Sequence, residues 1–244
     1  MINIEICFSP VLYPYYTNNK EDRIVIIADI FRASSTICTA LNNGANRILP
    51  VATIKEAKEY KAKGFLVGAE RNVRRCSFAD FGNSPFEYTK EKVNGKDIVL
   101  TTSNCTKAIE KAVDSSYLII GSFLNITAVA NFCIKKQKDV LVLCAGWNNR
   151  LNIEDGAFSG ALTKKLVTKN SSYRAPSDTA RVDLSLWKNA EPDMWNYISR
   201  SEHIKRLEAY NLEGSIAYCL TEDVIDCVPI YDKAAKSLAF YKRD

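Results

Sequence analysis

One pattern constrains this chain more than any other: a short apolar run gives way to a polar loop and then to a helical stretch, and the unit recurs along the sequence. Residues 24–28, Ile-Val-Ile-Ile-Ala, form a continuous β-branched run without alternation, as expected of a strand buried on both faces. They lead into a polar segment at 29–36 and a helical stretch that stops near Asn42-Asn43-Gly44, where glycine suits the left-handed end of a helix. Runs at 47–51, 65–68, 98–101, 117–120 and 140–144 read as further strands, and helices are expected at 55–63, closed by Gly64, at 107–113 and at 156–168. Strands alternating with helices specify an α/β fold, a layered, mainly parallel or mixed sheet flanked by helices. Ligands of such sheets lie beyond the carboxyl ends of the strands, so loops 29–35, 70–85, 101–106 and 145–155 are expected to gather there.

Beyond residue 170 the pattern changes. Residues 170–178 read as an exposed loop, followed by helices at 179–189 and 192–210, the second with Pro192 in its favoured first turn. This makes a helical C-terminal appendage at about 170–215 within a single domain spanning 1–244, followed by a strand at 226–230 and a polar tail. No apolar run approaches the roughly 18 residues that cross a bilayer. The first residues lack the basic start and long apolar core of a secretory signal, so a cytoplasmic address is expected.

Lys and Arg total 33 against 28 for Asp and Glu, a net charge of +5 that is spread thinly rather than packed into runs. That balance favours a small anionic ligand over nucleic acid or a membrane. The eight cysteines include no pair at Cys-x-x-Cys spacing, so reduced thiols in the core are expected. A single histidine, His203, excludes a multi-histidine metal site within one chain and leaves oxygen ligation for any metal. Lying on an expected helix, it reads as a surface or packing residue. Oligomeric state is left open, with a homodimer among the options.

Four segments have the residue types of a functional site. Asp29-Ile30-Phe31-Arg32-Ala33-Ser34-Ser35-Thr36 sets a carboxylate for a hard cation beside an arginine and hydroxyls for an anion, although Ser34 or Ser35 would also serve as a helix cap. Glu70-Arg71, with Arg74 and Arg75, runs through Asp80 to Gly82-Asn83-Ser84-Pro85; its arginines suit a doubly anionic substrate or simply a solvated loop. Thr101-Thr102-Ser103-Asn104-Cys105-Thr106 would make an oxyanion pocket or ordinary caps. Cys144-Ala145-Gly146-Trp147-Asn148-Asn149-Arg150 has the Cys-x5-Arg spacing of cysteine phosphatases. The nearby Glu154-Asp155 pair opposes that chemistry by repelling phosphate and raising a thiol pKa unless a cation intervenes.

Taken in order, these segments, with Ser201-Glu202-His203, resemble the 2-phosphosulfolactate phosphatase family, the magnesium-dependent phosphatases of coenzyme M biosynthesis. The resemblance runs from about residue 24 to the C-terminus and implies hydrolysis of the phosphate ester of a small sulfonated acid, with Mg2+ as cofactor. It implies metal ligation by Asp29, Glu154 and Asp155, with Glu70 as a fourth candidate, and anion binding by Arg32 and Arg71. Ser34, Ser35, Thr36, Asn83, Ser84, Thr102, Asn104, Thr106 and Gly146 are then expected against substrate, with Asp80 as a candidate acid. The alternatives are a metal-independent phosphatase using Cys144 and Arg150, and a non-catalytic binder of sulfonated or phosphorylated acids. Compared with the family pattern, Cys105 replaces a glycine, Lys107 an arginine, Ala69 a glycine, and Phe78-Ala79 a Gly-Phe pair. Cys105 would reshape its loop if the backbone there required positive φ.

Overall fold

A computed structural model describes residues 1–16 and 22–241. Strands β1 (Ile2–Cys7) and β2 (Arg23–Ala28) precede α1 (Ala33–Asn42), β3 (Arg47–Pro50), α2 (Ile54–Ala62), β4 (Leu66–Arg71) and β5 (Arg74–Arg75). The chain continues through α3 (Lys90–Val93), β6 (Asp97–Thr101), α4 (Cys105–Ala112), β7 (Tyr117–Gly121), α5 (Ile126–Lys136), β8 (Asp139–Cys144), α6 (Ile153–Lys169) and β9 (Tyr173–Arg174). Helices α7 (Asp178–Ala190), α8 (Met194–Ile198), α9 (Glu202–Glu208) and α10 (Ile216–Cys219) lead to β10 (Pro229–Asp232) and β11 (Ser237–Phe240). No helix of the described residues is long and apolar enough to cross a membrane.

Every residue of β2 is buried, because helices cover both of its faces. Ile24, Ile26 and Ala28 point into a core shared with Phe132 of α5, Phe158 and Leu162 of α6 and Trp187 of α7. The alternate residues Val25 and Ile27 point into a second core with Ile37 and Leu41 of α1 and Ile109 of α4. On the first side α6 and α7 pack closely: a Cβ at Gly160 would stand 2.0 Å from the Asp183 carbonyl oxygen.

The sheet order is β5-β4-β6-β3-β11-β10-β7-β2-β8-β1-β9. Two parallel groups, β4-β6-β3 and β7-β2-β8-β1, are joined by the antiparallel hairpin β10–β11. Three antiparallel steps separate β7 from β3, so the two groups run in opposite directions. A flat sheet would hold their carboxyl ends on opposite edges, yet residues following β4 and β6 share one cavity with residues following β2 and β8. The sheet must therefore coil, and a twist of about 20–25° per strand accumulates over the hairpin to turn one group across the other.

The C-terminal third departs from the sequence expectations. Residues 170–178 contain β9, which pairs with β1. The expected helix at 192–210 is broken after Ile198, because the Ser201 side chain accepts from the Ile204 amide at 3.2 Å and starts α9 anew. The expected strand at 226–230 lies instead at Pro229–Asp232, and the expected polar tail contains β11, inside the sheet.

Candidate active site

The β2–β8 register sets Ala28 opposite Cys144, and the Ala145 amide donates to the Ala28 carbonyl at 2.8 Å. The loops that follow the two strands thus start side by side. Asp29, Arg32, Glu70, Asn83, Ser103, Asn104, Trp147 and, from α9, His203 and Leu207 line one cavity with Phe31 and Val73. All four loops expected to gather contribute to it. Its free volume is about 20 Å³, room for about one water.

Asp29 is held by its own turn: its Oδ1 accepts from the Ala33 amide at 3.3 Å, and its carbonyl accepts from the Ser34 amide at 2.9 Å. Burial pushes its carboxyl up to about 6; Glu70 and Glu154 add to the rise, while His203 and the Ala33 amide oppose it. Asp155 ties two loops together. Its Oδ1 accepts from the Ile30 amide at 2.9 Å and its Oδ2 from the Gly146 amide at 3.0 Å. Burial, followed by Glu154 and Asp29, holds its carboxyl well above the usual range. Gly146 adopts φ +58°, and a Cβ there would meet the Arg150 carbonyl oxygen at 2.0 Å, so this position requires glycine.

Glu154 is fully buried and its Oε1 lies 2.5 Å from His203 Nδ1. With hydrogen on Nδ1, the ring donates to Glu154 and leaves Nε2 as its second functional atom. The Phe31 ring packs edge-on against the imidazole at 5.9 Å. Across the cavity, Glu70 Oε1 accepts from the Val73 amide at 2.5 Å and the Ser103 hydroxyl at 3.2 Å. Arg32 is buried, which lowers its pKa, and its Nη2 reaches the Val73 carbonyl at 3.5 Å.

Several other expected site residues face the protein rather than the cavity. The Ser34 hydroxyl accepts from the Asp29 amide, Ser35 donates to the Ile30 carbonyl and Thr36 to the Asn83 carbonyl, so these buried hydroxyls shape the loop. Thr102 and Thr106 bond reciprocally at the start of α4. Ser84 starts the short turn Pro85–Glu87, while its neighbour Asn83 reaches the cavity with a buried Oδ1 that has no partner among the described residues. Arg71 donates to Thr101 Oγ1 at 2.9 Å and to the Glu70 carbonyl at 2.6 Å, outside the Asp29 cavity. Asp80 also lies outside it: partial burial raises its carboxyl, but Lys61 at 2.5 Å and the Val67 amide outweigh this and hold it below the usual range.

The cysteine alternative finds no matching geometry. Cys144 is fully buried, contacts Ser159 Oγ at 3.4 Å, and is pushed well above its usual pKa by burial, then by Asp155 and Asp183. Arg150 is exposed at the end of a tight turn whose central residues, Asn148 and Asn149, have φ of 49° and 61°. Trp147 and Arg150 exchange backbone hydrogen bonds of 2.9 Å, so the segment is a reverse turn rather than a cradle around the thiol. Cys105 is the first residue of α4 and is not among the positive-φ positions, so replacing glycine there does not force a new loop shape.

Among the described residues, no three His, Cys, Asp or Glu side chains already stand at ligand spacing around one point. The donor set still suits a hard cation. Asp29 and Glu70 bring carboxylate to the cavity, and the buried Glu154 Oε2 has no partner among the described residues. The sequence reading missed His203. Its carboxylate partner lies 49 residues away, and its only local signal was the Ser-Glu-His motif.

A family profile described as 2-phosphosulpholactate phosphatase matches residues 10–234. A Thermotoga maritima protein named probable 2-phosphosulfolactate phosphatase is 41% identical over 209 residues, covering 86% of this chain and 89% of the relative. Proteins of the same name from Caldanaerobacter subterraneus and Carboxydothermus hydrogenoformans are each 36% identical, covering 86% and 90% of this chain and 88% and 90% of their own lengths. Profile and relatives both span most of the chain, which therefore belongs to the 2-phosphosulfolactate phosphatase family.

Proposed function

We propose that this chain hydrolyses the phosphate ester of 2-phosphosulfolactate to sulfolactate and inorganic phosphate, with Mg2+ as its cofactor. The observation that carries the reading is the meeting of Asp29, Glu70, Arg32 and His203 around one cavity, in a chain whose relatives are named for this substrate. The family resemblance points to coenzyme M biosynthesis as the setting, and a cytoplasmic location belongs to the same reading.

Asp29 and Glu70, with Glu154 Oε2 behind them, are the carboxylates that would hold the cation. When bound, it supplies charge neutralisation for the ester and activation of the attacking water. Arg32 binds the phosphoryl oxygens through its guanidinium, a stronger interaction in a buried site than in water. Hydrolysis forms a bond from water oxygen to phosphorus and breaks the bond from phosphorus to the C2 oxygen of the acid. The leaving oxygen needs a proton. His203 delivers it from Nε2 when that nitrogen carries a hydrogen besides the one Nδ1 shares with Glu154 Oε1, and the proton lost by the attacking water restores it.

The test is phosphate release from 2-phosphosulfolactate before chelation, after EDTA, and after Mg2+ is returned. The expected result is activity that is lost with chelator and restored by Mg2+. Full activity after chelation would refute the metal reading. Binding of sulfolactate without any phosphate release would mark a non-catalytic binder instead.

A further inference from the structure

The Asp29 cavity adjoins a larger groove of about 570 Å³, and Arg32, Val73 and Asn83 line both. These three side chains form the throat between the two spaces. Beyond it, the groove lies between the β4–β5 hairpin, which contributes Arg74 and Arg75, and the segment after α9, which contributes Tyr210 and Leu212. Arg32 and Asn83 are buried polar residues with places in the reaction site. Val73 is the apolar member of the throat and comes from the tip of the hairpin.

The backbone at that tip is at odds with its residue type. Arg71 pairs with Arg74 across the antiparallel β4–β5 strands, so Asn72 and Val73 are the two turn residues, with φ of 51° and 64°. Turns of this kind need left-handed backbone at both positions, which suits asparagine at the first and glycine at the second. A β-branched residue is disfavoured there, because its Cβ crowds the carbonyl that follows. The main-chain contacts do not require the side chain. The Val73 amide donates to Glu70 Oε1 and its carbonyl accepts from Arg32 Nη2, and a glycine at the same φ would make both bonds. What valine adds is an isopropyl group, which packs against the hydrophobic cluster that includes Phe31 and Leu207, two apolar residues of the Asp29 cavity.

We propose that Val73 is a specificity-determining residue whose side chain blocks the throat and so sets an upper size limit on the ester. The inference rests on the phosphatase reading for the reaction itself and adds the limit on substrate size. A three-carbon acid held by its phosphoryl group at Arg32 needs only the Asp29 side of the throat. An aryl group on the ester oxygen needs the space beyond, and the valine methyl groups stand in its way. Exclusion of such esters accounts for a strained backbone kept at a residue that lines the site.

The experiment measures phosphate release from 2-phosphosulfolactate and from phenyl phosphate by wild type, Val73→Gly, Val73→Ala and Val73→Ile. In Val73→Gly the ratio of kcat/KM for phenyl phosphate to that for 2-phosphosulfolactate is expected to rise about tenfold or more, mostly through a lower KM for the aryl ester. Val73→Ala should give a smaller rise in the same direction, and Val73→Ile, which keeps the branched side chain, should keep the wild-type ratio. Glycine takes the turn conformation without strain, so Val73→Gly should melt no lower than wild type even as its preference changes. An unchanged ratio in both Val73→Gly and Val73→Ala would overturn the proposal, and so would an equal rise for the two esters. Binding of phenylphosphonate, followed by calorimetry, separates this from the phosphatase reading. If no protein releases phosphate from 2-phosphosulfolactate, that reading fails, and the throat is still decided: a Kd about tenfold lower in Val73→Gly supports it, and an equal Kd overturns it.

Discussion

His203 and Glu154 show how much of this site depends on single long-range pairs. Replacing the ring by His203→Gln removes the proton donor, and a fall in kcat of about a hundredfold to ten-thousandfold is expected. Glu154→Gln keeps a hydrogen-bond acceptor on Nδ1 and, at Mg2+ concentrations high enough to offset the loss of one cation-holding carboxylate, should cost less. Steady-state rates of the two variants check this order, and a His203→Gln enzyme near the wild-type rate would remove the histidine from the reaction. At this scale the sequence was readable where chemistry coincided locally: Asp29 and Arg32 sit three residues apart, and both reach the cavity. It was not readable for Ser34, Ser35 and Thr36. A hydroxyl near a helix start looks the same in sequence whether it bonds a ligand or, as here, the Ile27, Ile30 and Asn83 carbonyls. Nor does sequence spacing show that Asp80 is engaged by Lys61 rather than by substrate.

The contact of α6 with α7 makes two predictions at the scale of elements. Gly160→Ala would drive a Cβ to within 2.0 Å of the Asp183 carbonyl oxygen, which is backbone and cannot swing away. The helices must separate, and a loss of roughly 1–3 kcal/mol in urea unfolding is expected. The Asp183 side chain is fully buried at the same contact, with neither carboxylate oxygen partnered among the described residues. Burial pushes its pKa up to about 8. An unfolded aspartate titrates near about 3.9, so between about pH 4 and pH 8 the folded protein keeps a proton that the unfolded chain has lost. Stability therefore falls as pH rises through that window and levels off above it. Thermal melting should show this decline in wild type and a shallower one in Asp183→Asn; parallel curves would contradict it. Central strands and their helices were legible from continuous apolar runs and glycine stops. The break before α9 was not, because Ser201 within a helix-forming stretch becomes a cap only through its bond to the Ile204 amide.

In the whole molecule, the C-terminal hairpin joins the two parallel strand groups. Its position in the sheet is interior: β11 pairs with β3 and β10 with β7. The sequence reading treated the last residues as a polar tail because Lys233, Lys236 and their neighbours look like a solvent-exposed end. In the fold they form a turn, in which Asp232 Oδ1 accepts from the Ala234 and Ala235 amides and Lys236 takes a left-handed φ of 49°. A chain truncated after Ile225 should therefore lose cooperative unfolding altogether, rather than merely shed a tail, because β3 and β7 would be left without partners on one side. Circular dichroism during urea titration checks this, and a sharp transition at the wild-type midpoint would disprove the bridging role. The same bridge sets where the two sets of carboxyl ends meet, and so where Asp29 faces Glu70 across the cavity. The proposed chemistry takes place at Asp29 and not at the buried Cys144. What separates the two is the rate of phosphate release from 2-phosphosulfolactate by wild type, Asp29→Asn and Cys144→Ser under one set of conditions. The expected result is a loss of about a hundredfold or more in Asp29→Asn, with most activity kept in Cys144→Ser. A folded Cys144→Ser protein without turnover, beside an Asp29→Asn protein near the wild-type rate, would contradict it.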